Sequence, residues 1–267
     1  MNAPSDKRRS RPARMRLDVA EPRRRRPRGE PLSVDRIVDV ALGQMKAGGY
    51  EAVSMRSIAR ELNTGPASLY AHVAGRDELD SLVVVRVTGA LDIPDPDPER
   101  WREQLRDVMF AMLRLYDENP GVARAQLGLV PLSPTLLRMM ERLIALLRAG
   151  GVPDQASVWF LDMMVLFVGA VAVERDIERS RETMGDDPAA YYERVHDFFT
   201  SLSSADYPVL ASLATALTAG DGDDRFGFGV DLMIAGLAAF ASGAVATRLP
   251  NHPGRGRPDR ERDPDTA

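Results

Sequence analysis

Between residues 54 and 73, two short apolar stripes flank a stretch that no single helix can run through, and this constrains the fold more than anything else in the chain. Met55, Ile58, Ala59 and Leu62 fall at i, i+3, i+4 and i+7, one stripe on a two-turn helix. Ser54 suits its N-cap, since the hydroxyl accepts a bond from an otherwise unpaired backbone N–H. Asn63 follows the last apolar residue, where helices commonly end in a left-handed residue, and asparagine tolerates that conformation better than most side chains. Gly65 and Pro66 then suit the N-cap and first position of a second helix. Leu69 and Val73, four apart, can face the first helix and leave Ser68, Tyr70, Ala71 and His72 outside. So short a helix needs a scaffold. Val34, Ile37, Val38, Ala41, Leu42 and Met45 offer one at helical spacing, opened by Ser33 and closed by Gly48-Gly49. The expectation is a three-helix unit whose last helix can enter the major groove of DNA.

On these residues the segment resembles the N-terminal domain of the tetracycline-repressor (TetR) family. The resemblance lies in Pro66-Ala-Ser-Leu69-Tyr70-Ala-His72-Val73, with Ile58-Ala-Arg-Glu-Leu62 before it and Arg76-Asp-Glu-Leu79 after. It continues more weakly in Trp101-Arg-Glu-Gln-Leu105, Asn119-Pro-Gly121 and Phe226-Gly-Phe-Gly-Val-Asp231, and so covers roughly residues 31 to 245. Three positions depart from the family pattern. Asn63 stands where glycine is usual, Ala71 where a larger side chain often touches DNA, and Gly75-Arg76 where a polar residue and lysine are usual.

Composition narrows the rest. A chain of 267 residues has room for a small domain and a larger one. Without cysteine there are no disulfides, thiol nucleophiles or cysteine zinc sites, and the three histidines, His72, His196 and His252, lie far apart. No catalytic residues, metal site or cofactor are expected, and the chain is not read as an enzyme. The net charge of −4 hides an asymmetry, because residues 1–30 hold 11 Lys and Arg against 4 Asp and Glu. That stretch, with Arg23-Arg24-Arg25-Arg26, reads as a disordered basic arm. It is either a contact to DNA phosphates or a minor groove, or a solvated tail. No apolar run follows the charges, as a secretory signal would need, and a cytoplasmic location is expected. Residues 250–267 read as a second disordered tail.

The expected division is a DNA-binding domain at 31–92 and a helical bundle at 93–249, separated by the proline-punctuated Ile93–Pro98. Beyond it Trp101, Leu105, Val108, Met109, Met112 and Tyr116 form one stripe. Leu136, Leu137, Met140, Leu143, Ile144 and Leu147 form another. With no period-2 pattern visible, the fold class is all-α. Two segments are apolar nearly all round, Val158–Val173, interrupted by Asp162, and Leu232–Thr247. Both fall short of the roughly 20 residues a membrane span needs. Burial against the domain core on one side and a second subunit on the other accounts for them better. The family resemblance implies a four-helix homodimer interface there.

Position assigns the DNA contacts. Arg56 can read guanine or clamp a phosphate; Gly65, Ala67 and Ser68 lie at the N-terminal end of the recognition helix; Tyr70 and His72 reach phosphates, as the matching family residues do; Arg76 suits a phosphate contact. Ala71 lies on the same face. The reading against each is an ordinary surface side chain. Met112, Tyr116, Met139, Met140, Trp159, Met163, Met164 and Phe167 could line an apolar cavity, although each taken singly reads as core; the resemblance is what implies an inducer pocket. Asp162 and Glu174, carboxylates in or beside an apolar run, require partners. The partners expected are a double-stranded DNA operator, a partly apolar small-molecule inducer and a second copy of the chain. An activator of the same fold and a helical protein-interaction module remain alternatives.

Overall fold

The computed structural model describes residues 31–130 and 132–246, so the expectations for the basic arm and the C-terminal tail lie outside the described residues. Those described are helical with no strand. Helix α1 (Val34–Gly48) starts where the Ser33 hydroxyl accepts from the Arg36 amide at 3.3 Å and ends at Gly49, whose φ is 75°. A 3-10 turn, Tyr50–Ala52, leads to α2 (Met55–Glu61). At its start Ser54 and Ser57 cap each other, the Ser57 amide donating to Ser54 Oγ at 3.0 Å and the Ser54 amide to Ser57 Oγ at 2.8 Å. Asn63 takes the left-handed conformation expected of it, with φ of 51°.

Helix α3 is shorter than its spacing predicts. Its regular part is Pro66–Leu69, after which the His72 amide bonds to the Leu69 carbonyl at 2.9 Å and tightens the chain into a turn. Leu69 and Val73 are fully buried and hold this piece against its neighbours. Helix α4 (Arg76–Thr88) completes the first group, burying Leu79, Val83 and Val84. It is tied to α1 by Arg86, which reaches Asp39 at 2.7 Å and also Asp35. Gln44 of α1 bridges α2, accepting from the Ser57 hydroxyl and donating to Glu61, both at 2.7 Å.

The segment after α4 is extended. Ile93 is buried, Gln104 bonds the Asp95 carbonyl at 2.8 Å, and Arg142 donates to the Ile93 carbonyl. The proline-rich break is therefore pinned to two helices of the larger group, α5 (Trp101–Glu118) and α7 (Pro134–Ala149). Between these lies α6 (Val122–Gln126), which packs on α4. Every residue of the expected α5 stripe is buried. On α7, Leu136, Leu143 and Leu147 are buried while Leu137 faces out.

Helix α8 (Asp154–Thr183) runs past α5, α6 and α7, and α12 (Gly222–Ala241) packs beside it. Between them α9 (Pro188–Thr200) and the short α10 (Pro208–Ser212) and α11 (Ala214–Leu217) form a peripheral group. The second apolar run does not stay helical to its end: α12 stops at Ala241, and Gly243 is left-handed. Helix α8 alone among those described is long and apolar enough to cross a membrane (mean hydropathy 2.1), yet 44% of that window is buried within the protein. Its inner face, with Phe160, Leu161, Met164 and Val168, is core; its length alone does not exclude a span, as the sequence run suggested.

Candidate functional site

The α2–α3 edge is built from what the core does not need. Ile58, Ala59, Leu69 and Val73 point inward, so the intervening Arg56, Gly65, Ala67, Ser68, Tyr70, Ala71 and His72 are all exposed, Tyr70 to 54%. These are seven of the eight residues assigned to DNA from the sequence, and they lie on or beside two consecutive helices, α2 and α3. Arg56 brings a cation, Tyr70 and His72 bring hydrogen-bonding groups, and the small residues at the start of α3 let its backbone come close to a groove.

Arg76 is the exception. Its guanidinium turns inward, with Nε 2.8 Å from Asp80 Oδ1, one arm on the Val53 carbonyl, the other 3.3 Å from the Tyr50 carbonyl, and its plane 4.0 Å over the Tyr50 ring. Tyr50 in turn donates to Asp80 Oδ2 at 2.6 Å. Burial and this bond hold the Tyr50 phenol above its ordinary pKa of 10.0. Arg76 thus braces α4 against the 3-10 turn and the residue before the Ser54 cap.

The expected ligand residues differ widely in burial. Met112 and Tyr116 are buried in the α5 core, where burial raises the Tyr116 phenol and its hydroxyl donates to Gln126. Met139 and Met140 are half-buried on α7, and Trp159 and Met163 face outward on α8. Phe167 lines a cleft, of about 540 Å3, between α8 and the start of α12. Its floor pairs Phe167 with Phe226, stacked at 5.4 Å, and Phe110 meets Phe226 edge-on at 4.9 Å. Its walls are charged: Glu174, Arg175 and Glu178 from α8, Asp221, Asp223 and Arg225 from α12. Sequence reasoning singled out Glu174 and passed over the others, because ion pairing leaves no periodic trace. Asp162 is exposed, as is Glu174, so neither carboxylate is buried within the subunit.

Outward from the core, α8 presents Trp159, Met163 and Leu166, spaced four and three apart, and α12 presents Phe228 and Leu232. Leu166 is 57% and Leu232 63% exposed, unusual for large aliphatic residues in the middle of long helices.

A two-helix turn with small and polar residues outward, mounted on a larger all-helical bundle, defines a helix-turn-helix DNA-binding regulator of transcription. Residues 37–79 match the model of bacterial regulatory proteins of the tetR family, and residues 93–241 match the tetracyclin repressor-like C-terminal domain. The chain belongs to the TetR family, as the sequence resemblance indicated. It is 33% identical to the HTH-type transcriptional repressor DrrR1 of Streptomyces coeruleorubidus, over 82% of this chain and 83% of that one. Among solved structures it resembles ActR of Streptomyces coelicolor. The complex of ActR with actinorhodin superposes with a TM-score of 0.73 at 40% identity, covering 81% of this chain and all of that one; apo ActR gives 0.72 at 39%, covering 80% and 99%.

Proposed function

We propose that the protein is a cytoplasmic, ligand-responsive repressor that binds a palindromic operator as a homodimer and leaves it when a small molecule occupies the larger domain. The observation that carries this reading is the α2–α3 edge. Its inward residues are all core and its outward ones are left to polar and small side chains that no fold requirement explains. One such edge spans only a few base pairs, whereas a two-fold pair reads two half-sites about 34 Å apart or somewhat more. The outward apolar residues of α8 and α12 support pairing through a four-helix interface, which would hold the two edges at a fixed separation. The names of the relatives support repression, and the actinorhodin complex of ActR supports control by a partly apolar small molecule. Release then follows from population shift, because a ligand favouring a different separation of the two edges lowers operator affinity by its differential affinity for the two states.

Selection of bound sequences from a random DNA pool tests binding, symmetry and spacing together. A palindrome should emerge, and Arg56→Ala or Tyr70→Ala should weaken binding to it by about 1 to 3 kcal/mol each with the dimer intact. Unchanged affinity in both variants would remove this edge from the DNA. Transcription from the selected sequence, with and without protein, separates repressor from activator. Actinorhodin is a rational first inducer to titrate, since a similar protein binds it.

A further inference from the structure

A ladder of charged side chains joins the cleft wall to the DNA-reading helices. Asp117, near the end of α5, accepts from two guanidinium groups of α8, Arg175 at 2.8 Å and Arg179 at 3.2 Å. Arg179 also holds Asp176 Oδ1 at 2.5 Å, and the other arm of Arg175 reaches Asp223 of α12. The Asp117 and Asp176 side chains are 24% and 20% exposed, so solvent screens this network less than a surface pair.

The ladder ends on a backbone group. Asp176 Oδ2 accepts the amide of Gly121 at 2.8 Å, in the turn between α5 and α6. That turn lies directly on the first helical group. Gly121 has φ of +86°, and a Cβ there would stand 3.0 Å from the Tyr50 amide nitrogen and 3.3 Å from its Cα. Tyr50 carries the Arg76–Asp80 cluster, and Arg76 holds the carbonyl of Val53, the residue before the Ser54 cap of α2. One carboxylate on α8 is thus separated from the start of α2 by a glycine, a tyrosine and an arginine, each in direct contact with the next.

We propose that Asp176 is a positioning residue for DNA binding: by clamping the Gly121 amide it seats the α5–α6 turn against Tyr50 and sets the angle at which α2 and α3 leave the larger domain. The Arg175–Asp117–Arg179 rungs orient Asp176 and connect it to Asp223 in the cleft wall, which gives a bound molecule a physical route to the DNA edge. Arg179 Nε, within the ladder, is buried and has no hydrogen-bond partner among the described residues. The inference rests on the DNA-binding reading and adds to it the path by which the larger domain acts.

The test is a double-mutant cycle on the full-length protein, with the DNA that the wild type selects from a random pool and affinity read by fluorescence anisotropy. Asp176→Asn and Tyr50→Phe should each weaken binding by about 2- to 30-fold, the range found for substitutions along coupled networks. The double variant should be no weaker than the poorer single one, because both act on one path. Asp176→Glu should recover most of the loss, and Asp154→Asn, which weakens the exposed pair between Arg148 of α7 and Asp154 at the start of α8, should change nothing. If Asp176→Asn loses its helical circular dichroism, Gly121→Ala replaces it in the cycle, since its Cβ presses on Tyr50 without altering the ladder's charges. Losses that multiply, or an unaltered affinity for Asp176→Asn, overturn the inference and leave the DNA-binding reading standing. A wild type that selects no DNA overturns both.

Discussion

Asn63 shows how much one backbone angle decides. With φ at 51° it closes α2 and turns the chain toward α3, a conformation that costs an ordinary L-residue about 1 to 2 kcal/mol. Asn63→Val should lower unfolding stability by about that amount or slightly more, and Asn63→Gly should be neutral or stabilising; urea denaturation of the two variants checks the order. Titration provides a second residue-scale prediction. Tyr50 and Tyr116 are both raised above 10.0, chiefly by burial, so the fold prefers the protonated phenol. Their contribution to stability is complete below pH 10 and declines above it, where the unfolded chain releases protons that the folded one keeps. Melts between about pH 9 and 11 should show a shallower alkaline decline for Tyr116→Phe than for wild type. Equal slopes would mean that Tyr116 does not titrate late. At this scale the sequence was legible where a residue's role is local. The conformation of Asn63 and the caps at Ser33 and Ser54 follow from neighbours in the chain. The inward turn of Arg76 was legible only in part: Asp80 is its i+4 neighbour on α4, whereas Tyr50 and Val53 come from a distant segment.

Among the elements, α1, α2, α5 and α7 were readable because each buries one side and so writes that side into its spacing. Helices α6, α10 and α11, of four or five residues, are too short to leave a stripe. Helix α8 continues ten residues beyond its apolar run, through a stretch where Arg175, Asp176 and Arg179 pair with Asp117 and with one another. Such pairing is set by tertiary structure, and hydrophobic periodicity does not register it. The outward side of α8 makes its own prediction. A two-fold interface contains every substituted residue twice, so Leu166→Glu would bury two carboxylates near one another. If the proposed dimer pairs through this side, size-exclusion chromatography with light scattering should show wild type at twice the mass of the variant, a 29.3 kDa monomer. A Leu166→Glu, Leu232→Glu double variant that remains dimeric would place the interface elsewhere.

At the scale of the whole molecule, the two halves of the candidate site differed in how far the sequence disclosed them. The DNA edge lies within some twenty consecutive residues, so knowing which side of two short helices is core also reveals which is free. A cavity is a collective property of distant segments. The methionines and aromatic residues expected to enclose one are distributed among core, half-buried and outward positions, and the cleft that does form takes its walls from charged residues. The division of labour within α3 has an evolutionary corollary. Leu69 and Val73 are buried and hold that turn, while Ala67, Ser68, Tyr70 and Ala71 are exposed. On the proposed DNA-binding reading, drift among those four would redirect a descendant to new promoters at little cost to folding, and duplicated copies would part ways in the genes they govern while keeping the same scaffold.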